Sequence, residues 1–402
     1  MIRSSAWLFA TKLTVALLNF ATVVMLSRWL GPADRGICGW YIVVIAVSLV
    51  FIDMIAGPAA GFLLKDFNII TIIKAVYQWA LVISVVTAAT LLALNRLSTT
   101  EACLLLLLCW LNAVNSLHQH LLLAQKKFRL FNLLSVLSPG LTVFFVMLLL
   151  RHFGPDKLFY LAGLAVSWLI SFFLGLYFLQ KQFVLTKISG GKSLWQTGFK
   201  NGLANQLSHL AGLLNNRFIY FLVPATLLGV YANALSLAEA SLMIPTSIGQ
   251  VLYASHLNNE KPTRFFETMA GNFLVNAVLL AGIAVLVLLI PASLYAYVFG
   301  PAFGGVKSYL ALLSVFMIFY GGYLICSYRH SANGHFLYNF YANLAGTGIN
   351  IAISLWYVVH NTYTPEKGII ALGSGFVAMF ITSLILLNRK EIAARGKPFS
   401  PF

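Results

Sequence analysis

The sequence predicts an all-α polytopic membrane protein with about twelve transmembrane helices, arranged as two six-helix lobes related by a parallel pseudo-two-fold axis. Three observations carry this. First, 60% of the 402 residues are hydrophobic and 9% are charged, with a mean hydropathy of +0.87, whereas a soluble domain carries roughly a quarter charged residues. Second, apolar runs of about 20 residues, the length that crosses a hydrocarbon core, recur from end to end with short polar punctuation between them. Third, the basic residues gather in alternate connections.

The runs place spans at approximately 6–27, 38–63, 72–95, 102–124, 131–152, 157–180, 200–223, 228–253, 270–290, 306–328, 336–358 and 367–388. The first is too long for a signal-peptide core and lacks a small-residue cleavage site after it, so it reads as a retained helix. With the N-terminus on the cytoplasmic side, seventeen Lys and Arg fall in inside loops and ends and seven in outside loops, and Lys12 and Arg217 lie within spans, completing the 26. That excess places both termini inside. Trp29, Trp40, Tyr41, Trp356 and Tyr357 then fall at the outer interface, where amphipathic rings settle. The net charge of +16 is accounted for by these loops. No basic patch stands outside the apolar framework, so nucleic acid is not expected as a partner, whereas membrane lipid is. Cys38, Cys103, Cys109 and Cys326 lack metal-ligand spacing and read as small buried apolar residues.

The longest inside connection divides the chain into an N-terminal lobe (1–180), a cytoplasmic connection (181–199), a C-terminal lobe (200–390) and a cytoplasmic tail (391–402). In the connection, Leu194, Trp195 and Phe199 suit the apolar side of a short interfacial helix. The halves echo each other. Leu30-Gly31-Pro32-Ala33 closes the first span and Leu222-Val223-Pro224-Ala225 the seventh; the next span in each half carries one acid and then a proline, Asp53 with Pro58 and Glu239 with Pro245. An even number of spans per half makes such a repeat parallel.

The segment Leu26-Ser27-Arg28-Trp29-Leu30-Gly31-Pro32-Ala33-Asp34-Arg35-Gly36 resembles the first outer loop of bacterial polysaccharide and O-antigen flippases, members of the multidrug/oligosaccharidyl-lipid/polysaccharide exporter superfamily. Ile290-Pro291 with Val298-Phe299-Gly300-Pro301-Ala302-Phe303 resembles that family's loop after the ninth helix, and Gly368-Ile369-Ile370-Ala371-Leu372-Gly373-Ser374 the opening of its last helix. The resemblance implies a MATE-like fold whose two lobes face a cavity opening alternately to each side. It implies a substrate, an oligosaccharide on a polyprenyl diphosphate, moved from the cytoplasmic to the outer leaflet of a bacterial inner membrane. It implies service to polysaccharide, lipopolysaccharide O-antigen or exopolysaccharide biosynthesis, with a polysaccharide polymerase as a candidate partner.

Charges inside a hydrocarbon span are expensive and mark a pathway or an ion pair. Lys12, Asp53, Arg217 and Glu239 stand out, one base and one acid in the first hairpin of each half. The rise per residue predicts two pairs, Lys12–Asp53 and Arg217–Glu239. In the functional reading the bases attract the diphosphate, for which a guanidinium offers a planar fork, and the acids neutralise them in the empty state. In the other, the bases snorkel to the nearer interface. Asn112, Asn115, Ser116 and Gln119 share one helical face, as do Asn201, Asn205, Ser208, Gly212 and Asn215, with Arg217 on roughly the opposite side; Lys12 and Asn19 share another. These amides suit sugar hydroxyls in a cavity, or they join helices by hydrogen bonds. His118 and His209 are candidate proton-sensing groups or packing residues. Pro58, Pro139, Pro224 and Pro245 are candidate bends.

No hydrolase, P-loop or dinucleotide signature is present and no cofactor is expected, so energy would come from an ion gradient, the membrane potential or substrate removal. The chain therefore reads as a transporter, not an enzyme. Its rivals are an ion-coupled drug or cation antiporter of the same superfamily and, more remotely, a membrane polysaccharide polymerase or ligase. The short outer connection from Ile290 to Gly305 argues against the last of these.

Overall fold

The computed structural model describes residues 2–55, 63–64, 67–125, 127–180, 193–257, 269–333 and 335–395. Pro58, most of the 181–199 connection and the tail after Arg395 lie outside them. Among the described residues, ten helices are long and apolar enough to cross a membrane, and the chain is a multi-pass membrane protein. The expected twelve crossings follow from two of the helices. Helix α1 (Ile2–Ile52) holds two arms that meet at Gly31, where φ 73° and ψ 179° break the helix; only glycine adopts such a backbone without strain. Its apolar stretch, Thr11–Ile52, is 42 residues long, about twice one crossing. Helix α6 (Leu194–Arg217) is long enough to cross but too polar to be one of the ten.

The chain divides into two compact units, Met1–Gln206 and Leu207–Phe402. Unit 1 contains α1, α2 (Ile69–Ala93), α3 (Thr99–Ala124), α4 (Phe128–Phe153), α5 (Lys157–Gln180) and the first turns of α6. Local chemistry sets the helix starts. The Asn68 side chain accepts the Thr71 N–H at 2.7 Å to cap α2, and Ser98 and Glu101 form a reciprocal capping box on α3. Helix α3 packs against α1, α2 and α5. Toward one end the core gathers Leu26, Tyr41, Leu105, Leu108 and Val146; toward the other it gathers Ile72, Val76, Leu117, Leu121 and Leu179. Outward, α2 presents Leu81, Val82, Val85 and Val86, an apolar surface that lipid solvates without penalty.

The expected separate interfacial helix does not form. Leu194, Trp195 and Phe199 are the opening of α6 itself, and the Trp79 ring of α2 meets Trp195 and Phe199 edge-on at 5.7 and 6.1 Å. Beside them, Gly198 and Gly202 lie directly on the backbone of Ile55 and Met54. This packing draws the first half of α6 into unit 1, so the division falls within the helix at Gln206.

Unit 2 contains the rest of α6, a 3-10 turn (Phe218–Phe221), α7 (Ala225–Ser241), α8 (Met243–Leu257), α9 (Met269–Leu289), the short α10 (Ala292–Phe299), a second 3-10 turn (Pro301–Phe303), α11 (Val306–Ala332), α12 (Phe336–Val359) and α13 (Pro365–Arg395). Helix α11 is the hub, packed by α7, α8, α9 and α13. Helices α7 and α8 are one apolar stretch, Ala225–Tyr253, interrupted at Leu242, three residues ahead of Pro245. Helix α13 continues to Arg395, through the start of the expected tail. The cysteines are free; Cys38, Cys109 and Cys326 are buried as expected, while Cys103 is exposed.

Candidate functional site

The polar interior of unit 2 is built where α6 stops. Its last residue, Arg217, is followed by the 3-10 turn, and Glu239 sits near the end of α7. The two meet. Nη2 of Arg217 lies 2.9 Å from Oε1 and 3.0 Å from Oε2 of Glu239, and the guanidinium carbon stands 5.8 Å from the Tyr220 ring centre. Both carboxylate oxygens therefore share one amino group. The other, Nη1, is buried without a hydrogen-bond partner, as are the hydroxyls of Tyr231 and Tyr363. Next door, Asn216 Nδ2 donates to the Tyr320 hydroxyl at 3.3 Å, and the Tyr320 ring stacks on Phe376 at 4.3 Å. A partly buried guanidinium whose enclosed Nη1 has no hydrogen-bond partner is equipped to receive an anionic oxygen.

In unit 1 the expected Lys12–Asp53 pair is absent. Lys12 projects from the first arm of α1 on an exposed face that also carries Leu13 and Leu17. Asp53 follows the second arm and is enclosed, 9% exposed, with Oδ1 lacking any hydrogen-bond partner. The kink at Gly31 separates the two arms, and among the described residues no base of the first arm is paired with the carboxylate.

The amide stripes divide between surface and packing. Asn19 and Asn205 are exposed, and Asn112 and Gln119 half-buried. Asn115 is buried, its Nδ2 donating to the Trp168 carbonyl at 2.9 Å. Asn215 is 1% exposed, inside the contact between α6 and its neighbours. There Asn343 Nδ2 donates to the Ser208 carbonyl at 3.0 Å, Thr347 Oγ1 to that of Ala211 at 2.6 Å and Asn350 Nδ2 to that of Asn215 at 2.8 Å. This ladder ties three successive positions of α12 to the α6 backbone and explains how so polar a helix is accommodated. His118 is a packing residue, fully enclosed, its Nε2 2.6 Å from the Tyr77 hydroxyl and its ring stacked on Phe172 at 5.8 Å; His209 is exposed.

Two polar assemblies escaped the sequence reading. One is the ladder, whose signal was the spacing of Asn343, Thr347 and Asn350 on one face of α12. The other joins three helices of unit 1: Lys157 Nζ lies 2.8 Å from Glu101 Oε1, and the Tyr41 hydroxyl donates to the same oxygen at 2.7 Å. Tyr41, expected at the interface, is 1% exposed because of this bond and its packing. The Ser98-x-x-Glu101 spacing was the available signal. Among the described residues no three His, Cys, Asp or Glu gather as a metal site.

Solved structures place the architecture. A multidrug resistance MATE family transporter of the MOP superfamily, inward-facing, superposes with a TM-score of 0.73 at 14% identity, covering 94% of this chain and 95% of that one. This is the MATE fold. The outward-facing conformation of such a transporter aligns with a TM-score of 0.65 at 15% identity over 99% and 96% of the two chains. The lipid II flippase MurJ, inward closed, shares the fold with a TM-score of 0.70 at 13% identity, covering 96% of this chain and 88% of its own. No family model and no curated protein matches the sequence.

Proposed function

We propose that this MATE-fold chain is a flippase of the MOP superfamily that carries a polyprenyl-diphosphate-linked oligosaccharide from the cytoplasmic to the outer leaflet of a bacterial inner membrane by alternating access, with both termini cytoplasmic, in polysaccharide biosynthesis. The observation that carries the reading is the Arg217 guanidinium, held by Glu239 through one amino group with the other buried and unused. A diphosphate oxygen satisfies Nη1, and Glu239 keeps the cation compensated when the site is empty. Lys12 is the second cation of the pathway, and the accessible amides of Asn19, Asn112, Gln119 and Asn205 serve the sugar hydroxyls. Asn115, whose amide donates to the Trp168 carbonyl, and Asn215, whose backbone carbonyl accepts from Asn350, lie in helix contacts within their own lobes. The shared fold with the lipid II flippase MurJ supports the substrate class.

The test uses proteoliposomes carrying a fluorescent polyprenyl-diphosphate oligosaccharide and a membrane-impermeant quencher. The wild-type chain should make the inner-leaflet pool accessible. Loss of a hydrogen bond to a charged group corresponds to about tenfold to a hundredfold, so Arg217→Ala should slow flipping by that factor, with Arg217→Lys in between. Wild-type flipping by a normally folded Arg217→Ala protein overturns the reading. The shared fold with a multidrug transporter and the Asp53 carboxylate, which meets no base among the described residues, favour a second reading, a drug or cation antiporter. Efflux of a cationic dye without any lipid flipping would establish it instead.

A further inference from the structure

Three enclosed donors in unit 2 lack a hydrogen-bond partner: Arg217 Nη1 and the hydroxyls of Tyr231 and Tyr363. Tyr231 is 0% exposed. The fold brings the three to one end of the unit. Asn343, Thr347 and Asn350 meet the carbonyls of Ser208, Ala211 and Asn215 in ascending order, so α12 and α6 run parallel and finish together. There Arg217 closes α6, and Tyr363 lies in the turn between α12 and α13. A Cβ on Gly368, in the first turn of α13, would meet the Tyr363 hydroxyl and, at 2.7 Å, the side chain of Ile219 in the 3-10 turn. From that same turn the Tyr220 ring meets the Tyr231 ring edge-on at 5.9 Å and lies 5.8 Å from the Arg217 guanidinium carbon. Arg217, Glu239, Tyr220 and Tyr363 all stand close enough to act electrostatically on Tyr231. Tyr231 itself is about 9 Å from the start of α7 at a helical rise per residue, so the cluster lies near that end of the unit.

The chemistry of the cluster is one of donors. A guanidinium N–H can only donate, and each phenol has a proton to give. The Ser354 hydroxyl near Tyr363 is donated to the Asn350 amide oxygen at 3.2 Å, so it leaves the Tyr363 proton unused. Glu239 keeps to Nη2 of Arg217, which leaves the Nη1 side to a second anion. An enclosed donor without an acceptor is costly, and one oxyanion, which only accepts, answers all three. Phosphate is the oxyanion that a guanidinium suits best, with several oxygens to share among neighbouring hydroxyls.

We propose that Arg217 Nη1 and the hydroxyls of Tyr231 and Tyr363 form a phosphate subsite at this end of unit 2, the outer end when both termini are cytoplasmic, where the cargo's diphosphate is held on the outer-leaflet side before release. This rests on the flippase reading and deepens it. Tyr231 and Tyr363 join Arg217 as binding residues, and the subsite belongs to the releasing side of the cycle.

The test titrates inorganic pyrophosphate into the purified full chain at ionic strength held constant with sodium chloride, and follows binding by calorimetry. Tyr231→Phe and Tyr363→Phe each delete one O–H. Neither hydroxyl is bonded in the empty chain, so each variant should melt at or above the wild-type temperature. Pyrophosphate should nevertheless bind about tenfold more weakly to each, the scale of one hydrogen bond to a charged group. Hydroxyls that merely hold the fold would give the reverse, a lower melting temperature with unchanged binding, and that result overturns the subsite. So does a wild-type chain that binds no pyrophosphate, or a binding signal that chloride alone reproduces. The lipid-flipping assay separates the two readings. A chain that flips lipid but binds pyrophosphate equally well with and without the two hydroxyls loses the subsite and keeps the flippase. A chain whose hydroxyl-dependent pyrophosphate binding is accompanied by no flipping keeps the subsite, for free phosphates, and loses the flippase.

Discussion

Glu239→Ala strands the Arg217 guanidinium in the interior of unit 2 with both amino groups unmatched, where Nη1 alone is unmatched in the wild type. The size of the effect follows from the geometry. At about 3 Å and an effective dielectric near 20, the gross attraction is about 5 kcal/mol. The side chains retain 22% and 32% exposure, so water screens much of it. Fully exposed pairs are worth about 0.2–1 kcal/mol, and removing one partner of a fully buried pair costs about 3–5 kcal/mol. The pair sits between these limits, which puts Glu239→Ala at about 2 kcal/mol of lost stability. Part of that loss reflects the abandoned charge rather than the bond, and a double-mutant cycle separates the two. Arg217→Ala, Glu239→Ala and the double variant are unfolded by titrating SDS into mixed micelles, following tryptophan fluorescence. The double variant should be less damaged than the sum of the singles by about 1–2 kcal/mol. Additivity within about 0.5 kcal/mol would show that the 2.9 Å contact carries no energy, and the picture of an acid holding the base ready would go with it.

Glu101→Gln removes the charge that Lys157 faces and weakens the α3 capping box; a loss of about 1–2 kcal/mol is expected on the scale of a lost helix cap, read in the same SDS titration. On the α6–α12 ladder, Asn343→Leu, Thr347→Val and Asn350→Leu should each cost about 0.6 kcal/mol, the membrane average for such bonds. A triple variant as stable as the wild type would show the ladder to be idle. Gly202→Leu places a side chain against the Met54 carbonyl and should lower stability by at least about 1–3 kcal/mol. Gly282→Leu, at a position with nothing within 4 Å, should stay within about 0.5 kcal/mol; equal losses from the two would place the Gly202 effect in expression or insertion rather than in the contact.

The fold was readable because the bilayer imposes one length and one polarity on every crossing, and runs such as those of α2 and α9 obey it. Helix α6 departs from that rule for a reason no local window contains: Ser208, Ala211 and Asn215 are satisfied by side chains about 135 residues away. The Arg217–Glu239 pair was legible because a base and an acid 22 residues apart, in adjacent spans, have few other ways to lower their burial cost. The same reasoning paired Lys12 with Asp53 and failed, because it assigned depth along the membrane but not the direction each side chain faces, which the packing of Ile55 and Met54 on Gly198 and Gly202 decides. Glu101 and Lys157 were passed over because they sit at helix ends, where charges are inexpensive; their pairing required knowing that α3 and α5 are neighbours.

Asp53 and Glu239 occupy comparable places, each at the end of the second helical segment of its half and each ahead of a proline. Their surroundings differ in one respect with chemical consequences. Glu239 has Arg217 within 3.0 Å, so its charge is compensated from within the chain and it has little need of an ion. Among the described residues Asp53 meets no such base, and its Oδ1 is left without a hydrogen-bond partner, so one of two acids in comparable places is compensated by its own lobe and the other is not.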